Sequence, residues 1–381
     1  MPTTTASPVA ATPPDKLPSK PKKPLVRRLL QDRSQQVRHA VQLAFLALNA
    51  WLAIEFLLWV RYFESNGQTR YFERPAGVEG WLPIAGLMNL KYFLVTHHVA
   101  AVHPAAMVLV AVFLLSSLLL KKTFCSWLCP VGTVSEYLWK LGHKLFGRNL
   151  TLPRWLDIPL RSLKYLLLGF FLYIVISMSA DGLNDFLLAP FGIIADVKML
   201  NFFRHIGTIG IAVLATFVVL SVFIKNFWCR FLCPYGALMG IVSTFSPVKI
   251  RRDADACIDC GKCNKACPSN LPVDQLVQVR SLECTGCMTC VAVCPAENAL
   301  QFALPPHRLS AGEVSGLEVS GPALSAARWS HRTVQPRMVV VVLAIVFFGL
   351  IGLARATGHW QTHISRDIYM QLVPHADDYN H

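Results

Sequence analysis

The sequence predicts a mainly α-helical, polytopic membrane protein of about five spans, internally duplicated, with a small cysteine-rich cytoplasmic α+β domain inserted before the last span. Three observations predict it. Of 381 residues, 54% are hydrophobic and only 15% charged, a balance unlike that of water-soluble domains. Five apolar runs have lengths at or near what a bilayer crossing requires. Two cysteine motifs, "FCSWLCPVG" from Phe124 and "WCRFLCPYG" from Trp228, recur 104 residues apart, each directly after such a run.

Taken in order, residues 1–38 are rich in Pro, Lys, Ser and Thr and lack aromatics, as a disordered basic tail should be. The apolar runs lie at Val41 to Trp59, Ala105 to Leu120, Leu163 to Ser179, Gly207 to Ile224 and Met338 to Ala354. The first follows too long a polar leader to be a signal-peptide core, so it is expected to stay as an anchor. With the N-terminus inside and all five runs spanning, segments 1–38, 121–164 and 225–337 hold 8, 8 and 12 of the 36 Lys and Arg. That is the positive-inside pattern. The net charge of +14 is thereby a topology signal rather than a nucleic-acid one, and it places the C-terminal tail in the periplasm of a bacterial inner-membrane protein.

Each cysteine motif ends a unit of span, outer segment and second span. The outer segments are "GWLPIAGLMNLKYFLV" from Gly80 and "LLAPFGIIADVKMLNFF" from Leu187. The order divides the chain into a tail (1–38), a first membrane repeat (39–146), a second repeat (147–249), a cysteine-rich domain (250–304), a linker (305–337), a last span (338–354) and an outer tail (355–381). Repeats of like orientation bring both motifs to one membrane face. A residue before proline is pushed out of the helical region, so Cys129 and Cys233 are expected at helix starts, with Pro130 and Pro234 in the first turn. The helix N-terminus favours thiolate there. After Pro130, the apolar positions Val134, Tyr137, Leu138, Leu141 and Leu145 recur at helical spacing and suggest a helix on the inner surface.

All twelve cysteines fall in such short spacings on the reducing side, where metal ligation is favoured over disulfides. "CIDCGKCNKACP" from Cys257 and "CTGCMTCVAVCP" from Cys284 are two copies of Cys-x2-Cys-x2-Cys-x3-Cys-Pro. This is the two-cluster ferredoxin run, whose fourth cysteine crosses to the other cluster. One [4Fe-4S] cluster is expected on Cys257, Cys260, Cys263 and Cys294, the other on Cys284, Cys287, Cys290 and Cys267. Gly261 and Gly286 let backbone amides approach the sulfides. The paired motifs supply four further thiols, Cys125, Cys129, Cys229 and Cys233, for a shared third cluster or metal site. Copper and a pair of redox dithiols remain alternatives, since soft thiolates also suit Cu(I).

With these motifs in view, the chain resembles the polytopic membrane ferredoxins that include NapH, NosR and CcoG, over roughly residues 40 to 305. The resemblance implies electron transfer between membrane quinol, or a membrane partner, and another redox protein of a respiratory complex. Its alternative is a metal-handling or assembly factor of the cupric reductase type. The longest outer loop, of about forty residues, is too short for the extra flavin domain of the NosR type.

A quinone site needs hydrogen-bonding groups and a proton acceptor. On the outer side the candidates are Glu55, Glu79, Lys91 and His103, near His97, His98, Asp185, Asp196, Lys198 and His205. Glu55 lies within the first span, where a carboxyl is costly without a partner or a role. No Cys-x-x-Cys-His haem attachment motif occurs, and no nucleophile, phosphate loop or acid-base dyad points to another enzyme class.

Overall fold

The computed structural model describes residues 28, 32–305, 307–308, 329–330 and 332–379. Most of the expected basic tail and part of the 305–337 linker lie outside them. The first half opens with α1 (Ser34–Glu64), which has neither Gly nor Pro in 31 residues and so runs unbroken for about 46 Å. A 3-10 turn (Ala76–Trp81) leads into α2 (Pro83–Thr96) and then α3 (Pro104–Leu120). Both helices start with proline, and the turn between them uses left-handed His97 and His103. Past Lys121, α4 (Thr123–Trp127) carries the first cysteine motif, and α5 (Pro130–Phe146) follows.

The second half repeats this order. Helix α6 (Arg154–Ser177) leads to α7 (Ala180–Leu188), capped by the Ser179 hydroxyl, then α8 (Pro190–Ile193), α9 (Ala195–Arg204) and α10 (Thr208–Phe223). A π-helical turn (Trp228–Leu232) then carries the second motif, and α11 (Pro234–Val242) follows. The halves cross where α5 meets α10. There, a Cβ on Gly142 would stand 1.9 Å from the Val222 carbonyl oxygen, so only glycine permits the approach.

The cysteine-rich domain is closed by β1 (Lys249–Arg252) and β2 (Leu300–Ala303), antiparallel with Ile250 opposite Phe302. Both of those side chains are buried. Between the strands lie the ligand loops, with α12 (Lys262–Ala266) and α13 (Thr289–Ala292). A short pair, β3 (His307–Arg308) and β4 (Trp329–Ser330), precedes α14 (Pro336–Ala356), and α15 (Arg366–Leu372) lies in the tail.

The molecule is mostly helical, and all five apolar runs are helical. Their lengths differ from the uniform expectation. Helix α1, residues Trp155–Ser177 of α6, and α14 are each long and apolar enough to cross a membrane. Helices α9 and α10 qualify only as a pair bent by 86°. Helix α3 has 17 residues, about 26 Å of rise, and is buried among α2, α11 and α14 as the hub of the bundle. On α5, Val134, Tyr137, Leu141 and Leu145 are exposed, while Thr133, Ser135 and Glu136 are buried. Water would penalise that inverted pattern, whereas a lipid interface accommodates it.

The cysteine-rich domain and the C-terminal tail sit at opposite ends of α1. Gln35, near its start, donates to the Cys287 carbonyl at 3.0 Å. Trp59, about 36 Å of helix rise further on, packs edge-on against Tyr369 of α15 at 5.0 Å.

Candidate iron-sulfur site

At both paired motifs the second cysteine is extended and caps a helix that begins with proline, Cys129 for α5 and Cys233 for α11. The exposed amides of that first turn point at sulfur. The Gly236 N–H donates to Cys233 Sγ at 3.2 Å; Cys129 makes no such cap bond, though the Gly132 and Val131 amides offset part of the rise of its thiol. The copies differ in the turn before the cap, α-helical in one and π-helical in the other. Such π turns concentrate at functional sites. A Cβ on Gly132 would lie 2.2 Å from the Cys125 carbonyl oxygen, against 3.5 Å for Gly236 and Cys229.

Cys125, Cys129, Cys229 and Cys233 line one cavity of about 730 Å³. Burial pushes the Cys125 thiol up to about 11 and the Cys129 thiol up to about 12, and it raises Cys229 well above the ordinary value. The other three cysteines add to the rise at Cys229, consistent with thiols of both halves lining the same cavity. Thiolates at this spot need a bound cationic centre to balance them. Among the described residues, no group of three His, Cys, Asp or Glu is placed to hold a metal ion. A four-iron cube sits between its thiolates and asks for a wider spacing than one ion does.

The other eight thiols lie in the cysteine-rich domain, for which the run leads to an expectation of two crossed sets. Cys267, Cys284, Cys287 and Cys290 line one small pocket. At Cys294, burial raises the thiol first, and Cys260 and Cys257 raise it further. At Cys263, burial raises the thiol first, and Asp274, then Cys294 and Cys257, add to the rise against the Asn264 amide. The two loops share one backbone course. The third residue of each run is left-handed, Asp259 at φ 54° and Gly286 at φ 62°, and so is the fifth, Gly261 at φ 65° and Met288 at φ 57°. Successive amides in such turns form a concave anion-binding nest, which suits the sulfides of a cluster. Glycine stands at one of the two positions in each copy, a different one each time.

The cysteine-rich domain docks on the membrane halves with matching twofold logic. Lys121, ending the first repeat's run, donates to the Ser281 carbonyl at 3.1 Å, and its counterpart Lys225 donates to the Lys265 carbonyl at 2.9 Å. The Ser126 hydroxyl bonds the Thr285 carbonyl at 2.7 Å, and the Trp127 indole bonds the Gly286 carbonyl at 3.3 Å. Lys164 of α6 is buried against Glu283 at 2.6 Å. Cys287 lines the same cavity as the four paired-motif cysteines. Cys260 of the other set is exposed.

Sequence reasoning missed the clamp behind the first motif. Arg38 grips both Glu136 carboxylate oxygens at 2.6 Å, and Gln42 and Arg38 both donate to the Ser126 carbonyl. Burial raises the Glu136 carboxyl, but hydrogen bonds from Arg38, nearby His39 and the charges of Arg38 and Lys140 outweigh it and hold the group far below its usual range. Arg38 and Gln42, four apart at the head of the first run, were the available signal. In sequence, Arg38 is simply one more inside charge.

Among the outer candidates, Glu79, His103 and Asp196 come together around Arg74, which the sequence did not single out. Arg74 donates to Glu79 at 2.7 Å and to Asp196 at 2.6 Å, and the Thr362 hydroxyl of the tail adds a bond to Glu79 at 2.8 Å. Burial raises Glu79, yet Arg74 and His103 hold it down at about 2. The group is saturated with partners, as a structural lock between the halves and the tail is. Lys91 instead caps the carbonyl end of α6 through Val175, Ile176 and Met178. Lys198 bonds the Tyr379 carbonyl, while His97, His98, Asp185 and His205 are exposed. Glu55 lines the large cavity, beside Asn49 and Trp81.

A 4Fe-4S binding domain family matches the chain twice, over residues 102–149 and 206–253, and a 4Fe-4S dicluster domain family matches residues 249–295. The two matches of the first family are separated by the same 104 residues as the cysteine motifs. The chain is similar to the putative electron transport protein YccM of Escherichia coli (strain K12), 52% identical over 90% of this chain and 91% of that protein. It is also similar to the ferredoxin-type protein NapH of Haemophilus influenzae, 25% identical over 66% of this chain and 91% of NapH. With the regulatory protein NosR of Pseudomonas aeruginosa it shares 28% identity over 47% of this chain and 24% of NosR. No solved structure matches it. Duplicated cysteine-proline motifs, a dicluster domain and relatives of this kind place the chain in the NapH/NosR-type family of membrane ferredoxins, with an iron-sulfur electron-transfer role.

Proposed function

We propose that the protein relays single electrons between the quinone pool, or a membrane partner, and another redox protein of a respiratory complex. The observation that carries this reading is the 730 Å³ cavity. One continuous, largely apolar space is lined by Glu55, by the four paired-motif cysteines and by Cys287. Apolar clefts with a few placed polar groups are what lipid-soluble ligands occupy, and Glu55 supplies a carboxylate for a quinol proton.

In this reading Cys284, Cys287, Cys290 and Cys267 hold the inner [4Fe-4S] cluster, next to the membrane halves. Cys257, Cys260, Cys263 and Cys294 hold the outer cluster, where exposed Cys260 faces a soluble partner. Cys125, Cys129, Cys229 and Cys233 hold a third iron-sulfur group between the inner cluster and the bilayer. These groups supply one-electron chemistry, while the protein orients them and sets their potentials. The five apolar helices span the inner membrane, with the N-terminus and the cluster domain cytoplasmic and the tail periplasmic. The basic segments support that orientation.

Anaerobically purified protein tests the proposal. About twelve iron per chain is expected for three four-iron clusters. Quinol should reduce the clusters in the wild type but not in Glu55→Gln, whereas dithionite should reduce both. Equal quinol reduction rates in the two proteins would remove Glu55 from the site. About eight iron with bound copper would favour a metal-handling role.

A further inference from the structure

The two halves differ where they face the four-cysteine site. At the 104-residue offset, Lys122 corresponds to neutral Asn226, and Tyr235 corresponds to Val131. All four line the cavity together with the four cysteines. Lys122 is 3% exposed, and among the described residues no hydrogen bond or ion pair engages its ammonium; the Glu283 carboxylate, which shares the cavity wall and is bonded by Lys164, feels its charge at longer range, while neighbouring Lys121 bonds the Ser281 carbonyl. The Tyr235 hydroxyl is also buried without a partner. Its ring is fixed edge-on by Phe113 at 6.0 Å, and Phe113 in turn stacks on Phe124 at 3.9 Å.

A buried ammonium and a buried hydroxyl that make no hydrogen bond are both costly. Each persists when the cavity's occupant answers it. A four-thiolate iron-sulfur group is such an occupant, because it is anionic and its sulfurs accept hydrogen bonds.

We propose that Lys122 and Tyr235 are positioning residues that set the reduction potential of the iron-sulfur group on Cys125, Cys129, Cys229 and Cys233. The first half contributes the charge and the second half the hydrogen-bond donor. This rests on the four cysteines being ligands. On reduction the group gains one electron, no bond breaks, and the ammonium and hydroxyl keep their protons. A positive charge in a medium of low dielectric stabilises the added negative charge, and hydrogen bonds to cluster sulfur act in the same direction.

The test is a redox titration of full-length, anaerobically purified protein followed by electron paramagnetic resonance, with iron counted in the same samples. In Lys122→Met, one of three midpoint potentials should fall by about tenfold in the reduction equilibrium, or about 59 mV for one electron. Tyr235→Phe should lower the same potential, Lys122→Arg should keep it near the wild-type value, and the other two potentials should stay put. Unchanged potentials in both Lys122→Met and Tyr235→Phe, at about twelve iron, would overturn the inference and leave the four-cysteine site standing. About eight iron in the wild type would remove the site and the inference with it. If Lys122→Met sheds iron, Tyr235→Phe decides alone, because it deletes one oxygen from a ring already held by Phe113.

Discussion

Breaking the clamp between Arg38 and Glu136 should loosen the first cysteine motif. The two side chains are 1% and 11% exposed and meet through hydrogen bonds of 2.6 Å. Removing Glu136 leaves the Arg38 charge in the interior without a counter-ion, at a cost of about 3–5 kcal/mol, and removing Arg38 leaves Glu136 with only half-exposed Lys140 as its cation. Glu136→Ala and Arg38→Met are each expected to destabilise by that amount in detergent-solubilised protein, measured by denaturant titration of tryptophan fluorescence. The double variant Arg38→Met/Glu136→Leu removes both charges together. Its cost should therefore fall well below the sum of the single losses, since replacing a whole buried pair by apolar groups is often nearly neutral. Because Arg38 and Gln42 both hold the Ser126 carbonyl between Cys125 and Cys129, the single variants should also lose part of their iron. Single losses below about 1 kcal/mol, or a double loss equal to their sum, would show that the pair is solvent-screened and the clamp does not exist.

Serine at any one of Cys125, Cys129, Cys229 or Cys233 should remove the same group of about four iron, and unequal losses among the four would count against one shared site. Gly132→Ala should cost about 1–3 kcal/mol by overpacking against the Cys125 carbonyl, while Gly236→Ala should be tolerated; equal thermal stability of the two would contradict the asymmetry of the two turns. Lys121→Met and Lys225→Met each remove a charge-assisted hydrogen bond worth about 1.5–3 kcal/mol. Hydrogen exchange should rise around Ser281 in the first and around Lys265 in the second, and exchange rising at both places in either variant would mean that the cluster domain docks as one rigid unit.

Periodicity, proline placement and cysteine spacing act over a few residues, so the sequence by itself determined the apolar helices, the duplicated frame and the capping positions of Cys129 and Cys233. A residue before proline cannot continue a helix wherever the chain goes, and an apolar run buries itself in any fold or bilayer. What depends on distant neighbours was decided only by the tertiary structure. Glu79 and His103, with Asp196 nearby, read as outer quinone-site candidates, and in the structure Arg74 binds all three into one lock. Lys91 read as a site candidate until it capped α6. Glu136, unremarkable within a helical stripe, became the anchor of α1, and Lys122 became a buried charge without a hydrogen bond on the cavity wall of four cysteines. The energy of a buried charge is fixed by what stands within a few ångströms of it, and for these residues that partner is set by chain up to 283 residues away.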